Sequence, residues 1–341
     1  MQKVFMQYKI RENIMTFNKK IILDCDPGED DALAILLAFA RGLDMRALVC
    51  GFGNSSAEKT YKNGAGLLKL ANKEGVALFK GVEKPYRPHP LETSVVTAGD
   101  FVGENGLCGV ALPFNSHMLS MNQMEQGQRI KNLAQHIRDS EPLNYLITGP
   151  CSTFAHILDE LGDDAPKYIE QVIVMGGALD AMGNHGPLNP ETGKSYAEFN
   201  FYCDPHGVDR VLKSGLKVTI VPWDLTEQIV LTYRELARFQ SLTPQGDFVL
   251  KLVKNFLESY GNANDRSFEF NDCITISALQ GCGSLKSEFI RITLEGEQAG
   301  RIVRDRNNGA ELSFFNLDLD KITSVRNGIL HDVGCNLDYK G

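Results

Sequence analysis

Nowhere in its 341 residues does the sequence approach the ~20 consecutive apolar residues that a membrane helix needs, so no membrane span is expected. Basic runs are also missing. The formal net charge is −8, and no Lys/Arg block is long enough to track a phosphate backbone, which argues against nucleic acid as a partner. A negative field attracts metal cations more readily than phosphorylated substrates. No Cys-x-x-Cys pair occurs. The eight cysteines are scattered, mostly in apolar or strand-like stretches, and are expected to be buried thiols in a reducing cytoplasm. The opening MQKVFMQYKIRENIM lacks the apolar centre of a signal peptide. Residues 1–17 are read as an N-terminal extension, and the protein is expected to be cytoplasmic. No Pro/Gly/Ser-rich linker, internal repeat or low-complexity tract divides the rest, so 18–341 is read as one domain.

What is present is a rhythm of short apolar strands and longer amphipathic segments. IILD (21–24), RALVCGF (46–52), VALFKGV (76–82), NYLIT (144–148), QVIVMGG (171–177) and LKVTIVPW (216–223) read as strands. DALAILLAFARG (31–42) repeats apolar residues at helical spacing and stops at Gly42. Helices are also expected near 58–73, 247–260 and 272–280, and FIRITLEGEQAGRIV (289–303) looks like a β-hairpin. The fold class is therefore α/β: a mainly parallel, Rossmann-like central sheet flanked by helices, with a late hairpin. In such sheets ligands bind where strands end and helices begin. Three of those junctions are polar and unusual: DPGEDD (26–31), GFGNSS (51–56) and TGPCST (148–153).

The first junction carries the chemistry. Asp24, Asp26, Glu29, Asp30 and Asp31 crowd five acids into eight residues. Carboxylates packed this closely repel one another in a low dielectric unless a cation sits among them. All-oxygen donors suit calcium or magnesium, and the lack of neighbouring His or Cys argues against zinc. Helix capping accounts for one aspartate here, not four. The Asp-x-Asp start is weakly similar to haloacid-dehalogenase-type phosphatases, but Gly28 stands where those enzymes carry Thr or Val.

A closer match runs along nearly the whole chain. DCDPGEDDALAILLA (24–38) resembles the signature of the nucleoside hydrolase (N-ribohydrolase) family. GFGN (51–54), TAGDFVGENGLCG (97–109), TGP (148–150), VMGGA (174–178), AEFNFYCDP (197–205), DLT (224–226) and Asn271-Asp272 follow in the family's order. The resemblance implies hydrolysis of the N-glycosidic bond of ribonucleosides to free base and ribose. It implies a calcium ion on Asp26, Asp31, the Thr148 carbonyl and Asp272, which also holds the ribose 2′- and 3′-hydroxyls and a water. Asp26 matches the general base. Asp30, Asn54, Glu198 and Asn200 match the residues that grip the ribose, with Asn184 a further candidate. Relatives of this kind are commonly homodimers or homotetramers.

Two positions depart from the pattern. Many members carry His just before the late metal-binding Asp and before the Gly of the GENGLCG-like motif; here those positions are Asn271 and Val102. The group that helps the base leave is therefore open. His185, Tyr260, Arg266, Phe268 and Asn271 are the candidates for the base pocket, with His185 in a loop that could close over the sugar. Trp223, at the end of an apolar strand, is read as core. Two alternatives stand beside the leading reading: a metal- and ribose-binding sensor with little turnover, and a hydrolase of another ribosyl compound such as nicotinamide riboside, whose cationic base needs no acid.

Overall fold

The computed structural model describes residues 17–113, 124–259 and 266–337, except the side chains of Asp100 and Phe101. The first βαβ units follow the apolar runs. β1 (Lys20–Cys25), α1 (Glu29–Ala40), β2 (Asp44–Cys50), α2 (Ala57–Leu70) and β3 (Ala77–Lys80) come first. Then follow α3 (Gln126–Arg138), β4 (Leu143–Ile147), α4 (Ser152–Leu161), α5 (Ala165–Tyr168) and β5 (Ile169–Met175). β1 and β4 are almost wholly buried, which is why they read as unbroken apolar runs rather than alternating ones. α1 begins with three acidic residues, where the positive end of the helix dipole favours them, and gives way to Gly42 at φ 68°.

The middle of the chain adds β6 (Gly183–Leu188), α6 (Phe199–Cys203), α7 (Pro205–Leu212), β7 (Val218–Val221), α8 (Trp223–Thr226), β8 (Val230–Thr232) and α9 (Tyr233–Leu236). β9 (Phe239–Ser241), α10 (Pro244–Glu258), β10 (Ser267–Glu269), α11 (Cys273–Leu279) and β11 (Ser284–Ile292) follow. The chain closes with β12 (Ile302–Arg304), β13 (Ala310–Asn316), α12 (Leu319–Asp332) and β14 (Cys335–Leu337).

Among the described residues nine strands form one sheet in the order β12-β11-β13-β7-β5-β4-β1-β2-β3. From β13 to β3 every pairing is parallel, and β11 runs antiparallel to both β12 and β13. The expected α/β class and late hairpin are both present. The hairpin is not an appendage, because β13 returns alongside β11 and joins it to the parallel sheet. Alternate residues of β1 feed two cores: Ile21 and Leu23 face one side, Ile22 the other. After β3 the chain crosses back to place β4 on the opposite side of β1, so the carboxyl ends of β1 and β4 flank a topological switch point. Among the described residues no helix is long and apolar enough to cross a membrane, and all eight cysteines are free.

Candidate active site

The turn after β1 is locked from three sides. Asn54, in the loop after β2, donates its backbone N–H to Asp26 Oδ2 at 2.5 Å and its carboxamide to Asp31 Oδ2 at 3.1 Å. Thr148, just past β4, donates its hydroxyl to Asp31 Oδ1 at 2.8 Å. The Gly28 N–H adds a bond to Asp31 Oδ2 at 3.1 Å, closing the first turn of α1. Two glycines let the neighbouring loops approach this closely: a Cβ on either Gly53 or Gly149 would collide with the Asp26 carboxylate.

Asp272, at the start of α11, comes in from the far end of the sequence. The carboxylates of Asp30, Asp31 and Asp272 present oxygens within 4.8 Å of one another. Burial, and then mutual repulsion, pushes these acids up. Asp30 rises to about 7, while Asp26 and Asp272 rise well above the usual carboxylate range. Burial raises Asp31 too, opposed by the Gly28 N–H and the Thr148 hydroxyl. Buried, all-oxygen and mutually repelling, the group fits a hard divalent cation, whose charge would reverse the repulsion. Asp26 is 1% exposed and adds its negative charge to Asp272. The Thr148 carbonyl accepts from Asn200 Nδ2 at 2.9 Å, which leaves it a second lone pair. Asp30, assigned by resemblance to the ribose, thus stands in the tightest carboxylate group.

Several expected ribose ligands are also framework. Both Glu198 oxygens accept backbone N–H groups: Oε1 from Asn200 at 2.9 Å, and Oε2 from Gly177 at 2.8 Å and Phe201 at 3.2 Å. Glu198 therefore caps α6 and braces the loop after β5. Asn184 Oδ1 accepts the Phe199 N–H at 2.9 Å, which brings Asn184 beside Glu198.

The base-pocket candidates separate. Asn271 lies beside the cluster: its amide donates to Glu269 Oε2 at 3.3 Å and its side chain favours the ionised form of Asp30. Phe268 does not. Its ring is 0% exposed, packed edge-on between Phe256 and Phe270, and has no face left to stack on a base. His185 packs against the rings of Phe199 and Tyr202, with centroids 5.0 and 5.3 Å away. It lies near Glu92 and His89 and is not among the clustered carboxylates. Arg266 donates to the Phe256 carbonyl at 3.0 Å. Tyr260 lies outside the described residues. Trp223, expected in the core, is only half-buried, with its backbone N–H on the Gly177 carbonyl at 2.8 Å.

Three further acids stand in stretches the sequence singles out but have no individual role assigned there. Asp224 accepts the N–H groups of Leu179, Asp180 and Ala181 at 2.8, 2.5 and 2.7 Å, fixing the loop that leads to Asn184. Asp24, raised to about 8 by burial, accepts the Tyr145 hydroxyl at 3.0 Å beneath the site. Glu29 lies buried beside Asp30, and burial lifts its carboxyl well up. Asp224 lies in the DLT stretch, and Asp24 and Glu29 in the acidic stretch 24–38.

The inosine-uridine preferring nucleoside hydrolase model matches residues 21–326. A pyrimidine-specific ribonucleoside hydrolase of Shewanella sp. (strain MR-7) is 34% identical over 243 residues, covering 70% of each chain. Its counterpart from Escherichia coli O1:K1 is 33% identical over 241 residues, covering 70% of this chain and 71% of the other. Among solved structures, a plant nucleoside hydrolase superposes with a TM-score of 0.75 at 22% identity, covering 93% of this chain and 99% of its own. A purine-preferring ribonucleoside hydrolase from Gardnerella vaginalis gives 0.75 at 21%, covering 92% and 98%. With a family model spanning most of its length and relatives above 30% identity, the chain belongs to the inosine-uridine preferring nucleoside hydrolase family, enzymes that hydrolyse ribonucleosides to free base and ribose.

Proposed function

We propose that this ribonucleoside hydrolase works with a calcium ion held by Asp26, Asp31, the Thr148 carbonyl and Asp272. The observation that supports this reading is the convergence of Asp30, Asp31 and Asp272 from distant parts of the sequence, with oxygens within 4.8 Å of one another, beside the buried carboxylate of Asp26. When bound, the ion supplies the positive charge that keeps these acids ionised together, and it gathers the ribose diol and a water.

The chain's own groups do the rest. Asp26 takes a proton from the attacking water, and its carboxylate is kept from turning away by the Asn54 N–H. Asp30, Asn54, Asn184, Glu198 and Asn200 orient the sugar hydroxyls. As the C–N bond breaks, the sugar gains oxocarbenium character, and the carboxylates around it stabilise that positive charge. Asn271 meets the base side of the bond. Residues 18–341 act as one domain. We assign a homodimer or homotetramer in the cytoplasm, a compartment consistent with eight unpaired cysteines.

Replacing Asp26 tests the assignment. Asp26→Ala should lower kcat by at least about 10³-fold while circular dichroism shows an unchanged fold. Substantial remaining turnover would remove Asp26 from the role of base.

A further inference from the structure

α6 is only five residues long, too short to hold together by its own backbone bonds, so its ends are fastened from outside. Glu198 caps the first turn. At the other end stands the Tyr202 carbonyl, in the last turn, where carbonyls lack an intrahelical partner. It lies 2.7 Å from His89 Nε2, 113 positions earlier in the chain. The His89 ring also meets the Tyr202 ring, with centroids 4.7 Å apart, and the Tyr202 hydroxyl donates to Glu92 Oε1 at 2.6 Å. Between the two fastenings is Asn200, whose carboxamide reaches the Thr148 carbonyl at 2.9 Å.

The partners of the His89 ring fix its protonation. A carbonyl only accepts, so Nε2 carries a hydrogen. Nδ1 faces the backbone N–H groups of Leu91 at 3.2 Å and Glu92 at 3.0 Å, which only donate, so Nδ1 is bare. All three bonds belong to the neutral Nε2–H imidazole. A second proton, on Nδ1, would point at two donors and push away the turn that carries Glu92. The ionisable groups facing the ring are Glu92 on the same loop, Asp204 at the start of α7 and His206 within it. His185 of β6 lies near His89 and packs on the same Tyr202 ring. Burial, helped by His206, holds the imidazole below its ordinary 6.5, against the Tyr202 carbonyl, Glu92 and Asp204.

Resting on the assignment of Glu198 and Asn200 to the ribose, we propose that His89 is a positioning residue for ribonucleoside binding. As a neutral imidazole it fastens the C-terminal end of α6 and so keeps Asn200 in place for the sugar; on gaining a proton it lets that end go.

The test measures KM for p-nitrophenyl riboside between pH 5 and pH 8 in the native protein and two variants. His89→Gln keeps a donor at the reach of Nε2 and does not titrate. His89→Asn keeps an acceptor at the place of Nδ1 but falls short of the Tyr202 carbonyl. KM is compared between proteins at each pH, because the clustered acids titrate in all of them alike. At pH 8 His89→Gln should match the native KM, and His89→Asn should exceed it about fivefold, the usual net worth of one hydrogen bond. At pH 5 the native KM should rise about fivefold above that of His89→Gln. Nitrogen-15 NMR of the native imidazole at pH 8 should show the Nε2–H tautomer. An Nδ1–H or doubly protonated ring at pH 8 overturns the inference, and so do equal native and His89→Gln values at every pH. Asn200→Ala separates the inference from the assignment beneath it. A raised KM in Asn200→Ala with a native KM in His89→Asn sinks the inference alone; an unchanged KM in Asn200→Ala sinks both.

Discussion

Thr148 donates its hydroxyl to Asp31 across 117 positions of sequence, at 2.8 Å, joining the end of β4 to the first turn of α1. This bond fixes the Oδ1 side of a buried carboxylate whose Oδ2 already accepts from the Gly28 N–H and the Asn54 carboxamide. Thr148→Val keeps the backbone carbonyl and removes only the hydroxyl. Calcium affinity should fall about 10–100-fold, the usual effect of losing a group that orients a metal ligand. Titration calorimetry reads this directly, and unchanged affinity would show that Asp31 is held without Thr148.

Glu198 is spent on three backbone N–H groups, so its removal should be felt in stability as well as in binding. Glu198→Ala should cost about 2 kcal/mol in urea unfolding, the upper end for losing a helix N-cap. A residue that only gripped ribose would raise KM and leave the unfolding midpoint where it was.

The packing of His185 bears on the leaving group. Its ring is engaged with Phe199 and Tyr202, away from the clustered carboxylates. His185→Ala should therefore slow inosine and p-nitrophenyl riboside by similar factors. A selective loss on inosine would restore His185 as the acid that assists the departing base.

In the cation-free fold, Asp30 is raised to about 7 from its ordinary 3.8. Between those values the folded protein binds a proton that the unfolded chain has released, so stability falls as pH rises through this window. A cation removes that penalty by pairing with the ionised acids. The gain in Tm on adding calcium to chelated protein should thus be small at pH 5 and about 5 °C or more at pH 8. A gain that is equal at both values would mean that the clustered acids do not hold the ion.

Much of this arrangement was legible from the residues alone. β1 and β4 are buried on both faces, so their apolar runs stand out, and the acidic turn between β1 and α1 has no ordinary structural explanation. The hairpin read as beginning near residue 289 begins at Ser284, because Ser284 to Glu288 are largely exposed and polar and carry no apolar pattern. The three-residue strands β8, β9, β10 and β14 are too short for any periodicity to show. Phe268 packs against Phe256 and Phe270, and an aromatic near a binding motif looks the same in sequence whether it stacks on a ligand or on other rings. Asp30 and Asp272 are 242 positions apart, and their approach becomes visible only once α1 and α11 pack together.

The central claim is cation-dependent cleavage of a ribosyl C–N bond, and ribose release is its most direct measure. Inosine, uridine, nicotinamide riboside and p-nitrophenyl riboside would be assayed before chelation, after it, and after calcium is restored. The account predicts release from at least one of the four, lost on chelation and recovered with calcium. Release that survives chelation, or tight calcium and ribose binding with no release at all, would contradict it.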